Sequence, residues 1–75
     1  MTKSLFSPDY DRFRRLLVDA RRRRGVTQAA LAAAIGRHQS YVSKYERGER
    51  RLDVIEFLEV AKALEVDPAD ILRRL

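Results

Sequence analysis

Apolar residues recur along the chain at steps of three and four, and the breaks between these runs carry residues that start or stop helices. Phe13, Leu17 and Ala20, flanked by Tyr10 and Leu16, form the first stripe. Ser7 followed by Pro8 supplies an N-cap and a first-turn proline, and Gly25 closes the run after Arg22, Arg23 and Arg24. A second, short helix is predicted over 28–35, capped by Thr27, striped by Leu31 and Ile35 and ended by Gly36. Its alanine run favours helix and lets another helix approach closely. A third helix is predicted over 39–47, with Val42 and Tyr45 inward and Gly48 at its end. The fourth opens on Asp53 and Glu56, spaced as a capping box, with Leu52 placed to staple against Phe57 and a stripe through Leu58, Ala61 and Leu64. It stops near Glu65. The fifth opens at Asp67-Pro68 and carries Ile71, Leu72 and Leu75. Nowhere do β-branched and polar residues alternate over more than a few positions. The expected fold class is all-α, with five helices.

The chain has 75 residues, enough for one small domain over 1–75, with 1–6 expected to be a flexible N-terminus. A chain of this size buries only about 60% of its unfolded surface, which leaves little mass to wall a substrate pocket. No acid–base pair, activated nucleophile or glycine-rich phosphate loop is visible, so an enzyme is not expected, nor a small-molecule substrate. Cysteine is absent and His38 is the single histidine, so neither a disulfide framework nor a metal site is expected, and no cofactor. No apolar run approaches the roughly 18 residues that would span a bilayer, and the first residues read as an ordinary start. A cytoplasmic protein without membrane contact is expected.

Charge adds the first functional clue. Sixteen Lys and Arg residues face eleven Asp and Glu, a net charge of +5. Residues 1–51 hold 13 basic and 5 acidic groups, and residues 52–75 hold 3 basic and 6 acidic groups. The first two thirds therefore offer a face for a polyanion, and the acidic remainder fits a face turned away from it. Charge alone does not separate nucleic acid from an anionic membrane.

The spacing of the two middle helices does. A short helix, a tight turn opening at Gly36 and a second helix form a helix-turn-helix over 28–47. Glycine tolerates the positive φ such a turn needs. The second helix places Gln39 and Ser40 near its N-terminus, where short polar side chains can meet base edges in a major groove.

The ordered set Thr27-Gln28, Leu31-Ala32, Gly36, Gln39-Ser40, Val42-Ser43 and Glu46-Arg47-Gly48 resembles the Xre/Cro-like, phage-repressor type of helix-turn-helix protein. The likeness covers residues 10–72. It implies a five-helix domain that binds double-stranded DNA in a sequence-specific way, as a homodimer on a two-fold operator, and regulates transcription. It implies base contacts from Gln39, Ser40, Ser43 and Lys44. Phosphate contacts fall to Gln28, Arg37, His38, Tyr41, Arg47, Arg50 and Arg51. Arg21 and Glu46 are expected to form a structural ion pair between the first and third helices. Ile71, Leu72 and Leu75 are the expected dimer contacts, with Phe57 or Ile55 beside them.

The chain departs from that pattern at three places. His38 stands where Ser or Thr usually caps the third helix, Arg37 where an apolar residue usually tucks inward, and Glu65 where glycine usually follows the fourth helix. The alternative function is a protein-interaction module of the same fold, an antitoxin or adaptor. RNA binding would favour exposed aromatic platforms, of which the third helix offers only Tyr41.

Overall fold

A computed structural model describes residues 7–75 of the chain; the expected flexible segment 1–6 lies outside the described residues. Five helices follow in order: α1 (Pro8–Arg23), α2 (Gln28–Ala34), α3 (Gln39–Glu46), α4 (Val54–Leu64) and α5 (Pro68–Arg73). No strand occurs among the described residues. The predicted spans of α2, α3 and α4 each end one residue early, because Ile35, Arg47 and Glu65 serve as C-caps instead of helical residues.

Each start is fixed by a side chain that satisfies a free backbone N–H. Ser7 Oγ accepts from Tyr10 N at 3.1 Å, and Thr27 Oγ1 from Ala30 N at 3.0 Å. Asp53 and Glu56 complete a reciprocal capping box at 2.7 and 2.9 Å. The turn between α2 and α3 holds Gly36 at φ +70°. A Cβ there would meet nothing within 4 Å, so the glycine answers to backbone conformation and not to crowding. Glu65 accepts φ +58°, a strained value for a side-chain-bearing residue, and pairs its carboxylate with Arg24 at 3.0 Å.

One core unites the helices. Tyr10, Phe13, Leu17 and Ala20 of α1 meet Leu31 and Ala32 of α2, Val42 and Tyr45 of α3, and Phe57, Val60, Ala61 and Leu64 of α4. Phe13 lies edge-on to Phe57 at 5.0 Å and beside Tyr10 at 5.4 Å. Leu52 is buried with Phe57 in this cluster, and its backbone N–H donates to Tyr10 Oη at 2.8 Å. Ile71 is buried as well. It belongs to the core, which corrects its expected place at a dimer surface: of Ile71, Leu72 and Leu75, it alone is buried. No helix among the described residues is long and apolar enough to cross a membrane.

Candidate nucleic-acid interface

The third helix is divided lengthwise. Val42 and Tyr45 are almost wholly buried, and Glu46 is buried beside them. Gln39, Ser40 and Lys44 are exposed and Ser43 is half-buried. Positions 39, 40, 43 and 44 fall on one side of a 3.6-residue helix, so four polar side chains share one open face. Arg47 extends that line past the helix end. It donates to Ser43 Oγ at 2.6 Å and to Glu49 at 2.9 Å.

The inner side of α3 is locked by a polar network. Arg21 presents its fork to Glu46, Nε to Oε2 at 2.6 Å and Nη2 to Oε1 at 3.0 Å, and donates Nη1 to the Val26 carbonyl at 2.8 Å. The carboxylate raises the pKa of the arginine. Gln28 donates Nε2 to Glu46 Oε1 at 2.8 Å, so the first residue of α2 is tied to the last turn of α3. Arg14, which the sequence did not single out, donates to the Glu46 carbonyl at 2.6 Å. This second arginine caps the free carbonyl end of α3, where a cation suits the helix dipole.

His38 does cap α3. Its Nδ1 accepts from Ser40 N at 3.1 Å and lies 3.0 Å from Ser40 Oγ. The imidazole edge thus does the work of the usual hydroxyl, and only Nε2 remains to meet a phosphate.

Two other expectations are corrected here. Tyr41 is not an open phosphate ligand: its Oη is buried without a hydrogen-bond partner of good geometry, and desolvation raises its pKa. The Arg37 and Arg50 guanidinium carbons lie 4.7 and 4.5 Å from the centre of its ring. Arg50 is not a free cation either. It donates Nη1 and Nη2 to Glu56 at 3.1 and 2.7 Å, and this contact, with the Asp53 amide, holds the Glu56 carboxyl down to about 2. Arg37 reaches Glu59 at 3.5 Å through an exposed pair. Arg51 is exposed and lies over the Tyr10 ring at 4.3 Å. The structure therefore brings Gln39, Ser40, Ser43, Lys44 and Arg47 onto one face.

A second surface lies on α4 and α5. Val54, Ile55, Leu58, Leu72 and Leu75 are all substantially exposed, between 43% and 70%. Phe57 is core and does not contribute to it.

A short helix and a second helix joined by a glycine turn, with a polar outer face on the second, define a helix-turn-helix protein. The chain belongs to the helix-turn-helix family, in its XRE type: the family model described as "Helix-turn-helix" matches residues 17–71. An XRE-family like protein from Pseudomonas syringae is 48% identical, with a TM-score of 0.84, over 87% of this chain and 79% of that one. An uncharacterized HTH-type transcriptional regulator of Sinorhizobium fredii, y4dJ, is 41% identical over 51 residues, 68% of this chain and 66% of that protein. The restriction-modification controller protein C.Esp1396I, solved as a tetramer in complex with its natural 35 base-pair operator, is 25% identical with a TM-score of 0.83, over 92% and 91% of the two chains.

Proposed function

We infer that this chain is a sequence-specific double-stranded DNA-binding transcriptional regulator that acts as a homodimer, with α3 as its recognition helix. The observation that carries the reading is the lengthwise division of α3. One side is pinned by Val42, Tyr45 and the Arg21–Glu46–Gln28 network, and the other presents Gln39, Ser40, Ser43 and Lys44 to solvent. A glutamine amide suits adenine N6 and N7, and a lysine suits guanine O6 and N7. Arg47 sits in an exposed ion pair worth about 0–1 kcal/mol, so a DNA phosphate can replace its carboxylate at small cost, and Arg37, which gives Glu59 a single N–H, has others left for a phosphate. His38 Nε2 and Arg51 complete the phosphate-contact set, and Gln28 serves it from the start of α2.

A lone domain reads few base pairs, and two copies would read half-sites about 34–36 Å apart. The apolar face of Val54, Ile55, Leu58, Leu72 and Leu75 suits a second copy. An adaptor or antitoxin would turn the same face to an unlike protein. The operator-bound tetramer of C.Esp1396I favours the second copy. The reading is of a binding protein and not an enzyme, working in the cytoplasm.

The test is selection of duplexes from a random pool, followed by titration of the selected duplex and a shuffled copy over a range of salt. The selected duplex should bind about 10³-fold or more tightly, as a two-fold sequence, with log affinity falling linearly in log salt. Equal affinity for both duplexes would rule out sequence reading. Leu58→Glu should turn the sedimenting species from dimer to monomer; an unchanged mass would place the interface elsewhere.

A further inference from the structure

The recognition helix packs chiefly on α2 and α1. Beyond the shared core, five side chains link it to α4. Arg37 precedes α3 and Arg50 follows it, and their guanidinium carbons both lie over the Tyr41 ring, 4.7 and 4.5 Å from its centre. Each arginine is in turn held by a carboxylate of α4. Arg50 meets Glu56 through two N–H donors at 3.1 and 2.7 Å, and Arg37 meets Glu59 at 3.5 Å. Glu56 and Glu59 are three residues apart and so share one flank of α4.

The geometry is that of a brace. A bidentate arginine is fixed in plane as well as in place, because a fork against a carboxylate permits little rotation. Arg50 is anchored on α4 through two bonds and Arg37 is joined to the same helix by one, so the ring that both cations cover is tied to α4. Tyr41 lies on α3 directly beside Ser40, so turning α3 about its axis would pull the ring away from the cations. We propose that Glu56 and Glu59 are positioning residues for sequence reading: through Arg50 and Arg37 they clamp Tyr41 and set the angle at which α3 presents Gln39, Ser40 and Lys44. The proposal rests on the DNA-reading function argued above. It assigns a role to acidic residues that carry no direct contact with DNA, and it links the reading helix to the helix that bears Ile55 and Leu58.

The competing role is plain charge masking, in which the two glutamates merely occupy arginines that bind phosphate when freed. Glu56→Gln with Glu59→Gln separates the two. Glutamine still serves at the third position of a capping box, so the start of α4 survives while the charge that orients Arg50 is lost. A brace predicts affinity for the selected duplex weakened about threefold to tenfold, with the shuffled duplex and the salt slope unchanged. Masking predicts tighter binding to both duplexes and a slope steeper by about 0.9 for each freed cation, which would overturn the proposal. Arg50→Lys keeps the charge without the fork. Under the brace it behaves like the glutamine variant, and wild-type selectivity in Arg50→Lys would count against it. Hydrogen exchange in the free protein gives a readout independent of DNA. The α3 amides should exchange faster in the double variant while those of α2 do not change, and unaltered α3 exchange would sink the brace. A wild-type protein that prefers no duplex would remove the DNA-reading function, and the exchange measurement would still decide the brace.

Discussion

Removing the Glu46 carboxylate tests the packing logic of the interface at its most buried point. The Glu46 side chain is 6% exposed and that of Arg21 is 12% exposed. Glu46→Ala withdraws the acceptor of three hydrogen bonds, two from Arg21 and one from Gln28. Breaking one partner of a buried pair costs about 3–5 kcal/mol, mostly because the survivor is left desolvated without its counter-charge. Here the figure falls at the low end, about 3 kcal/mol. Arg21 keeps the Val26 carbonyl at 2.8 Å, and the half-buried Gln28 amide can turn to water. At about 0.05–0.15 kcal/mol per residue, the 75 residues have a total stability of roughly 4–11 kcal/mol, so the loss takes a quarter to most of it. The assay is urea unfolding followed by far-ultraviolet circular dichroism at pH 7, with the m-value checked for constancy. The corresponding fall in Tm is about 12–24 °C. Arg21→Met combined with Glu46→Leu, which removes both charges, should recover most of that loss. A cost below about 1 kcal/mol for Glu46→Ala, or a double variant no more stable than Glu46→Ala alone, would refute the reasoning.

Three further outcomes are expected. Gln39→Ala should lose about 1–3 kcal/mol of discrimination at one base pair of the selected duplex, measured by binding to single-base variants; equal loss on selected and shuffled DNA would deny it a base-reading role. His38→Ala should destabilise the protein by about 0.5–2 kcal/mol in thermal unfolding, and His38→Ser should restore the loss; if alanine is neutral, the imidazole cap contributes nothing. Glu56, held down to about 2 mainly by Arg50, favours the folded state above its ordinary value of 4.5 and gives up that contribution as pH falls toward 2. Acid unfolding of the wild type should therefore be steeper over this interval than that of Glu56→Gln, and parallel curves would contradict the bidentate contact.

The helices and their boundaries were legible because the signals that set them are local. Ser7, Thr27, Asp53 and Asp67 each act on a backbone N–H within three residues. The polar face of α3 was legible for the same reason, since helical periodicity alone sorts 39, 40, 43 and 44 from 42 and 45. What escaped the sequence depends on the angle between elements. Ile71, Leu72 and Leu75 look alike on paper, and only the tilt of α5 sends Ile71 inward. The Arg37–Glu59 pair joins residues 22 positions apart, and the Arg14 contact with the end of α3 spans 32. The Arg21–Glu46 pair, of comparable separation, was anticipated through family resemblance and not through any pattern in the residues themselves. His38 departs from the usual cap, which draws on hydroxyls and carboxylates, yet its ring nitrogen is also an acceptor and takes the Ser40 N–H.

The distribution of charge takes on a different meaning once the pairs are known. A net charge of +5, concentrated in residues 1–51, first suggests a surface that attracts any polyanion. Yet the acidic residues of the last third are not simply turned away from the basic ones. Glu56, Glu59 and Glu65 each reach back to an arginine of the earlier part, Arg50, Arg37 and Arg24. Burial then decides which cations can leave their partners for a phosphate. Arg47 lies in a pair where both side chains are more than a third exposed, so exchange costs little, whereas Arg37 can offer a phosphate its remaining N–H groups without leaving Glu59. Arg50 faces a carboxylate that is only 14% exposed and is engaged by the Asp53 amide as well, so its release would strand a charge. Arginines alike in sequence thus divide into exchangeable ligands and fixed supports. On the proposed reading, the pairing holds down non-specific attraction and leaves the uncharged Gln39 and Ser40 to set the preference among duplexes.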